Sequence, residues 1–576
     1  MIRNINRKWQ PRQTAIRDKN GKTISDKLEV MQRWTEYCSE LYRTQMDQDI
    51  VAETMRELQD ISPPKQELEN DILEEEVRKA VEKLRNNKSP GNDGIRAELI
   101  KKGGDTVVHE LHRICNLIWK TGSTPQEWRK SLLVPIHKKG SALDCNNYRT
   151  IALISHLGKV LMMVLTERLR VQTEPYMADE QAGFRRDRST VQQVLALRLI
   201  AEEARRKNKK IYNCFVDFNK AFDSIDQSVT WTVLESYGVD SKLIDILKDI
   251  NTNAQAAVRT CGMTGEYFKT NRGTRQGDPV SPNIFITVLE RVKDSITEDE
   301  TGVSINGTWI NNLCFADDID LIEEDLQRLE QTVNKIGAEA MRYGLTMNLT
   351  KTKTMVFGEN KIDKNIVTQG NILENVESFT YLGCTMTPDL DCKKEVTIRF
   401  AKAMSLLKAM DKIWSSKSIK WHTKLRVLDT CVFSSALYGC EAWAITKEIQ
   451  NRVMAFERKC YRKLLRIRWT DKIRNEELYQ RVNVEENLMS KVVKRKMNLF
   501  GHICRMTDDR KIKTLVFGVM EGRNRRGRPH REWVDDVAQW CGVSLQEASH
   551  WARSRSHWRR VVDEASDTYG HCAHGS

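Results

Sequence analysis

Three aspartates sit where solubility alone does not explain them. Asp317 and Asp318 are adjacent in "LCFADDIDLI", inside an otherwise apolar run, and Asp217 closes the apolar run "IYNCFVDF". Buried charge is costly unless it is paired or coordinates a metal. Carboxylates brought together raise one another's pKa, and hard divalent cations relieve that repulsion through oxygen ligation. Two such ions suit an in-line displacement at phosphorus, one activating the attacking hydroxyl and the other steadying the leaving oxygens. An isolated Asp-Asp dipeptide is more often a turn or a helix cap. The apolar setting and the presence of Asp217 favour the metal reading here.

The elements around these residues must bring them together. "IYNCFVDF" reads as a buried strand ending at Asp217, and "TWINNLCFADDIDLI" as two strands with a turn near Ala316–Asp318. Successive strand side chains point to opposite faces, so Asp317 and Asp318 converge only if the backbone turns between them. The divergence assigns more of the coordination to Asp317 than to Asp318, and leaves Asp320 as a polar residue of the descending strand. Asp223 and Asp226, in "KAFDSIDQS", read as helix caps. A helix at 325–342 and strands at "TKTMVFG" and "SFTYLGC" complete an α+β pattern, helices on an antiparallel sheet. Upstream, residues 1–65 read as polar helices ending at "ISPPKQ", and "DILEEEVRKAVEKL" as a helix stopped by "NNKSPGNDG". Helices near 105–120 and 157–170 flank a strand at "SLLVPIH".

The totals set bounds. The 576 residues imply three or four domains, or one large multi-lobed enzyme. Lys and Arg number 93 against 79 Asp and Glu, a net charge of +14, which suits a nucleic-acid partner as well as it suits a basic solvated surface. The 14 cysteines form no CxxC pair, which argues against a zinc ribbon and against a disulfide framework, and reduced thiols imply an intracellular compartment. No apolar run reaches membrane-spanning length, and the start "MIRNINRKWQ" is not a secretory leader. Beyond residue 390 the chain turns helical, basic and Trp-rich. "RKCYRKLLRIRW" reads as an amphipathic helix, and "EGRNRRGRPHREW", with Arg523, Arg525, Arg526 and Arg528, as a basic loop for nucleic acid. The His and Cys residues of the tail match no zinc-finger spacing.

Taken in order, the motifs resemble a family. "VDFNKAFDSI", "RGTRQGDPVSPNIF" and "FADD" look like the reverse transcriptase of a non-LTR retrotransposon. "NNKSPGNDGIRAELIK", "PQEWRKSLLVPIHKKG", "NNYRTIALIS" and "QAGFRRDRST" resemble its finger motifs, and "GLTMNLTKTKTMVF" and "FTYLG" its later palm motifs. The tail, with "ALYGCEAWAI" and "GRNRRGRPHREWVDD", is similar to the RTE/BovB-like group. The resemblance implies a right-hand polymerase: a helical extension at 1–65, fingers and palm at 66–390, a thumb-like region at 391–470, and a basic, mostly helical nucleic-acid-binding region at 471–576.

Roles follow from the resemblance at matching positions. Asp217, Asp317 and Asp318 would hold two Mg2+ ions, with Mn2+ as an alternative. Phe222 would be the aromatic gate that excludes a 2′-hydroxyl. Gln276 and Gly277 would lie under the templating base, where glycine lets backbone approach a ligand closely. Lys353 would protonate the leaving pyrophosphate, with Lys351 as a competing choice on the same strand face. Lys138, Lys139 and Arg149 would hold the triphosphate, Arg185 the template or nucleotide, and Tyr381, Leu382 and Gly383 the primer terminus. The expected partners are template RNA, primer or target DNA and dNTPs, with no membrane, in a ribonucleoprotein of nucleus and cytoplasm. The family's endonuclease is expected to be missing, since residues 1–65 are too few to form one, and Thr150 replaces a common proline. A maturase, a viral RNA polymerase and a catalytically degenerate nucleic-acid-binding copy are the competing readings.

Overall fold

The structure is a computed structural model that describes residues 15–43, 46–64, 70–296, 300–358, 365–484, 486–527 and 529–571. At its centre the strand Ile211–Val216 is buried at every position. A strand covered on both faces has no solvent side for polar residues, so it reads as a continuous apolar run rather than an alternation. It is flanked by Asp318–Glu323 on one side and Lys353–Phe357 on the other, both antiparallel to it, and Asn312–Phe315 closes the edge as a hairpin with Asp318–Glu323.

Alternation along the central strand divides the hydrophobic core. Cys214 and Val216 pack with Ile284 and Val288 of the helix Ser281–Lys293 and with Val333 and Ile336 of the helix Leu326–Arg342. Ile211 and Phe215 join Leu197 and Ala201 of the helix Thr190–Arg206, on the other side. The helix Leu326–Arg342 shows how sequence sets these elements. Asp325 caps it by accepting from the Arg328 N–H, and Leu329, Val333, Ile336 and Ala340 form the buried stripe. Gly344, at φ +85°, ends it in the left-handed region, where the Leu345 N–H donates to the Ala340 carbonyl.

A second sheet is drawn from segments before and after the central strand in sequence. The hairpin Lys130–His137 and Tyr148–Leu153 runs beside Gln255–Thr260, which is parallel to Lys130–His137. The first long helix, Lys27–Arg43, packs Val30, Trp34 and Cys38 against this sheet in a core with Leu133, Ala256 and Val258. Beyond residue 390 the chain is helical, and one apolar cluster runs from Val194 of the central helix to Ala565 near the end. Among the described residues no helix is long and apolar enough to cross a membrane.

The helix Lys447–Leu465 buries one carboxyl, Glu457, at zero exposure. It accepts from the Tyr461 and Tyr479 hydroxyls and from the Leu488 N–H at 2.7 Å. Desolvation outweighs these bonds and pushes its pKa from 4.5 up to about 7. A raised folded pKa gives stability that is fully present below 4.5 and lost as pH rises through 7. Glu457→Gln is therefore expected to match wild type at pH 4 and to be more stable at pH 8 by up to about 3 kcal/mol. Urea unfolding at both pH values checks this, and a variant equally destabilised at both would show that charge at this site is not what matters.

Candidate active site

The carboxylates meet at one end of the first sheet. The register pairs Ile319 with Val216 and Phe315 with Asp318, and one step further along it Asp318 faces Asp217. Cross-strand neighbours share a face, so these two side chains project the same way. Asp317 sits between the strands in the two-residue turn Ala316–Asp317, which removes it from strand alternation. Ala316 adopts φ +58°, the left-handed conformation that tight hairpins demand.

The electrostatics report the crowding. Desolvation, and after it the charge of Asp217, hold the Asp317 carboxyl above the usual range. Asp318, at the exposed mouth, is pushed up to about 6, first by desolvation and then by the like charges of Asp317 and Asp217. Lys138 and Arg149 act on Asp317 in the opposite sense, and Lys138 and Lys351 on Asp318. The exposed Lys138 and Arg149 come from the hairpin of the second sheet, where Arg149 lies opposite Ile136.

In the register Lys353 lies opposite Phe215, and two residues back Lys351 comes level with Asp217 on the same face. The strand begins at Lys353, and Lys351 lies in the turn just before it. Lys351 Nζ reaches Asp217 Oδ1 at 2.9 Å, and Lys353 Nζ is held by Glu374 at 2.7 Å. The lysine beside the carboxylates is Lys351, which corrects the preference for Lys353.

Phe222 lies in the short helix Ala221–Ser224, its ring stacked on Phe285 with centroids 4.3 Å apart. The loop carrying Gln276 and Gly277 packs against this turn. Thr274 N–H donates to the Phe222 carbonyl at 2.8 Å, and a Cβ on Gly273 would meet the Asp223 backbone at 2.7 Å. Gly277 has φ +120° and a Cβ there would meet the Ala152 carbonyl at 2.8 Å, so both conformation and space require glycine. Asp226 caps the helix Gln227–Ser236 as expected, accepting from Ser228 N–H at 2.8 Å. Asp223 does not cap a helix. It is buried and accepts from the Tyr42 hydroxyl and from Gln276 Nε2.

Tyr381, Leu382 and Gly383 form the tip of the hairpin Phe379–Tyr381 and Cys384–Met386. Leu382 and Gly383 both have positive φ, the two-residue turn that suits strand twist. Tyr438 hydroxyl donates to the Leu382 carbonyl at 3.0 Å, and Arg399 to the Gly383 carbonyl. Phe379 stacks on Phe215 of the central strand, with centroids 4.0 Å apart, which fixes the hairpin to the sheet.

Two expected contacts lie elsewhere. The Arg185 side chain is only 5% exposed; it is paired with Glu174 at 2.9 Å and donates to the Ala178 and Gln181 carbonyls. Its guanidinium is spent on the loop around it, which corrects its assignment to nucleic acid. Arg523, Arg525 and Arg526 are exposed on a loop tied to the end of the helix Thr190–Arg206, where the Arg525 N–H donates to the Arg206 carbonyl. That loop is at the start of the central strand, and the six residues Ile211–Val216 separate its level from Asp217, about 20 Å at strand rise. Arg528 lies outside the described residues.

Two groups do more than their places in the sequence announce. Gln181, fully buried, accepts from the Ala316 N–H at 3.0 Å and from the Gly183 N–H at 2.9 Å, and a Cβ on Gly183 would meet Ala316 N at 2.2 Å. These residues of "QAGF" brace the turn that carries Asp317. Asp320, also fully buried, takes both carboxylate oxygens to Asn213 Nδ2 at 2.9 and 3.0 Å, and burial pushes its pKa well up. It faces the core, not solvent.

Comparison with known proteins agrees with this arrangement. Residues 136–386 match the family described as reverse transcriptase (RNA-dependent DNA polymerase). The chain is 25% identical over 301 residues to the transposon TX1 uncharacterized 149 kDa protein of Xenopus laevis, covering 52% of the chain and 23% of that protein. It is 27% identical over 322 residues to the Pol polyprotein of the type-2 retrotransposable element R2DM of Drosophila melanogaster, covering 55% of the chain and 29% of the relative. The RNA-directed DNA polymerase from mobile element jockey of Drosophila funebris is 22% identical over 409 residues, covering 69% of the chain and 44% of the relative. The chain thus spans less than half the length of each. Residues 136–386 are a reverse transcriptase domain with relatives in non-LTR retrotransposons.

Proposed function

We propose that the protein is an RNA-directed DNA polymerase of a non-LTR retrotransposon, extending a DNA primer on an RNA template with dNTPs. The observation that carries it is the convergence of Asp217, Asp317 and Asp318 at one sheet end inside a reverse transcriptase domain. In this reading the first sheet and its helices are the palm, the second sheet belongs to the fingers, and the helices after residue 390 form the thumb and a basic C-terminal region. The RTE/BovB-like affinity belongs to the same proposal, on the tail motifs.

The site fits hard divalent cations. Its donors are carboxylate oxygens that raise one another's pKa, and such a set binds Mg2+ or Mn2+ rather than a soft metal. Asp217, Asp317 and Asp318 would hold them. Bound there, the ions supply Lewis-acid activation of the attacking hydroxyl and charge neutralisation on the phosphate.

The chain's own residues do the rest. Lys138 and Arg149 hold the triphosphate from the fingers side and offset charge that develops on it. Lys351, already beside Asp217, is placed to donate a proton to the leaving pyrophosphate. Phe222 closes the floor under the sugar, and the Tyr381–Gly383 tip holds the primer end. The exposed Arg523, Arg525 and Arg526 track nucleic acid farther out, and binding there weakens with salt.

The test is single-nucleotide extension of a DNA primer on RNA with dNTPs or rNTPs offered separately. Preference for dNTPs by at least about 100-fold is expected, on the scale of a discriminating pocket contact. Preference for rNTPs would point to an RNA polymerase, and failure of purified protein to extend a good template would favour a binding protein.

A further inference from the structure

The first long helix, Lys27–Arg43, lies ahead of all the motifs of the polymerase reading, yet two of its tyrosines end beneath the gate. Tyr42 is 4% exposed and its hydroxyl donates to Asp223 Oδ1 at 3.0 Å, next to Phe222. Thr150 Oγ1, 3.1 Å away, is the other partner of that hydroxyl. The same Asp223 carboxylate receives both bonds from Gln276 Nε2, at 3.0 and 2.9 Å. Five residues earlier on the helix, Tyr37 accepts from Lys220 Nζ, which also lies 4.6 Å from the centre of its ring. Lys220 opens the gate turn in the left-handed region at φ +45°, a conformation that a lysine holds only when its surroundings fix it.

The turn Lys220–Asp223 is therefore gripped at both ends by one helix. Its middle carries Phe222. Asp223 is the joint: it couples Tyr42 to the side chain of Gln276, which lies under the template in the reading above. A buried carboxylate held by three hydrogen bonds from two donor groups has little freedom to move. Desolvation pushes its pKa up to about 6.

We infer that Tyr42 and Asp223, with Tyr37 and Lys220 in support, are positioning residues for nucleotide selection: the N-terminal helix sets the height of the Phe222 ring and the aim of Gln276. Neither tyrosine touches the nucleotide. They act through the turn, so their loss changes which sugar is accepted more than how fast the chemistry runs. The inference rests on the polymerase reading, and on Phe222 as the gate.

The experiment measures kcat and KM for one dNTP and its rNTP in single-nucleotide insertion, on wild type, Tyr42→Phe, Asp223→Ala and Phe222→Ala. Tyr42→Phe removes one oxygen and keeps the ring, so its melting temperature should stay close to wild type. Its preference for dNTP over rNTP should fall about fivefold, the weight of one net hydrogen bond, chiefly through a higher KM for dNTP. Asp223→Ala, which frees Tyr42 and Gln276 together, should lower it further. Phe222→Ala should lower it most. Tyr42→Phe and Asp223→Ala with wild-type ratios, beside a relaxed Phe222→Ala, would overturn the inference and leave the polymerase reading standing. An unchanged ratio in Phe222→Ala would remove the gate and the inference with it. A wild type that extends no primer would sink both.

Discussion

Asp317→Ala is expected to abolish Mg2+-dependent primer extension, a loss of at least about 10³-fold, with RNA affinity unchanged. Electrostatic groups aimed at the reacting centre are commonly worth that much, and a carboxylate that holds a metal removes the ion's contribution along with its own. The size of the effect follows from position. Asp317 is a turn residue, so no neighbour on either strand can swing in to replace it, and the turn itself is braced from behind by Gln181 and Gly183. Asp217→Asn tests the same site from the other strand, since the amide keeps shape and loses charge. It should be equally inactive and should also release Lys351 from its 2.9 Å pairing. Extension and equilibrium RNA binding measured on the same preparations check the prediction. Residual extension within tenfold of wild type in either variant would mean that the carboxylates are not the metal site. Loss of RNA binding in parallel would mean that the substitution had damaged the fold.

Much of this site could be read from residue types because its parts are local. A two-residue turn between apolar strands must point its carboxylate out of the sheet, and an apolar run that ends in aspartate marks the adjacent strand. Glycines at Gly273 and Gly277 announce close backbone approach before any contact is known. What could not be read is set by polar partners that the fold brings together. Arg185 stands in a motif rich in basic residues, and only the fold shows Glu174 and two carbonyls closing around it. Asp223 resembles a cap by sequence neighbourhood, but Tyr42, 181 residues away, decides its role. Lys351 and Lys353 differ because the register, which the sequence does not show, sets Lys353 opposite Phe215 and leaves Lys351 beside Asp217. Asp320 reads from the sequence as a polar residue of the descending strand, and only the fold shows that it is fully buried. Asn213 lies on the facing strand and has no signature of its own. Each is a polar contact, most of them between residues far apart in sequence, the kind that hydrophobic periodicity does not encode.

The second large effect lies far from the carboxylates. Lys496 and Asp536 are both fully buried and paired with each other. Asp536 accepts as well from the Ile445 N–H at 2.8 Å and from Arg531 Nε at 2.7 Å, and Lys496 donates to the Trp443 carbonyl at 2.8 Å and lies 4.8 Å from the Trp533 ring. Removing one member of such a pair leaves a buried charge without its counter-ion, and costs about 3–5 kcal/mol. Asp536→Ala is therefore expected to destabilise the C-terminal helices by that amount. The double change Lys496→Met with Asp536→Leu should recover much of the loss, because no fully buried ion is then left uncompensated, while Arg531, 33% exposed, can turn to water. The consequence reaches function through packing. The Trp533 N–H donates to Glu202 of the helix that covers the central strand, and the loop of Arg523, Arg525 and Arg526 hangs between these contacts. If the C-terminal region peels away in Asp536→Ala, protease should cut first beyond residue 440, and RNA binding should weaken while short-template extension persists. Equal stability of Asp536→Ala and wild type in urea would show that solvent reaches the pair, and that the C-terminal region is held by its apolar contacts alone.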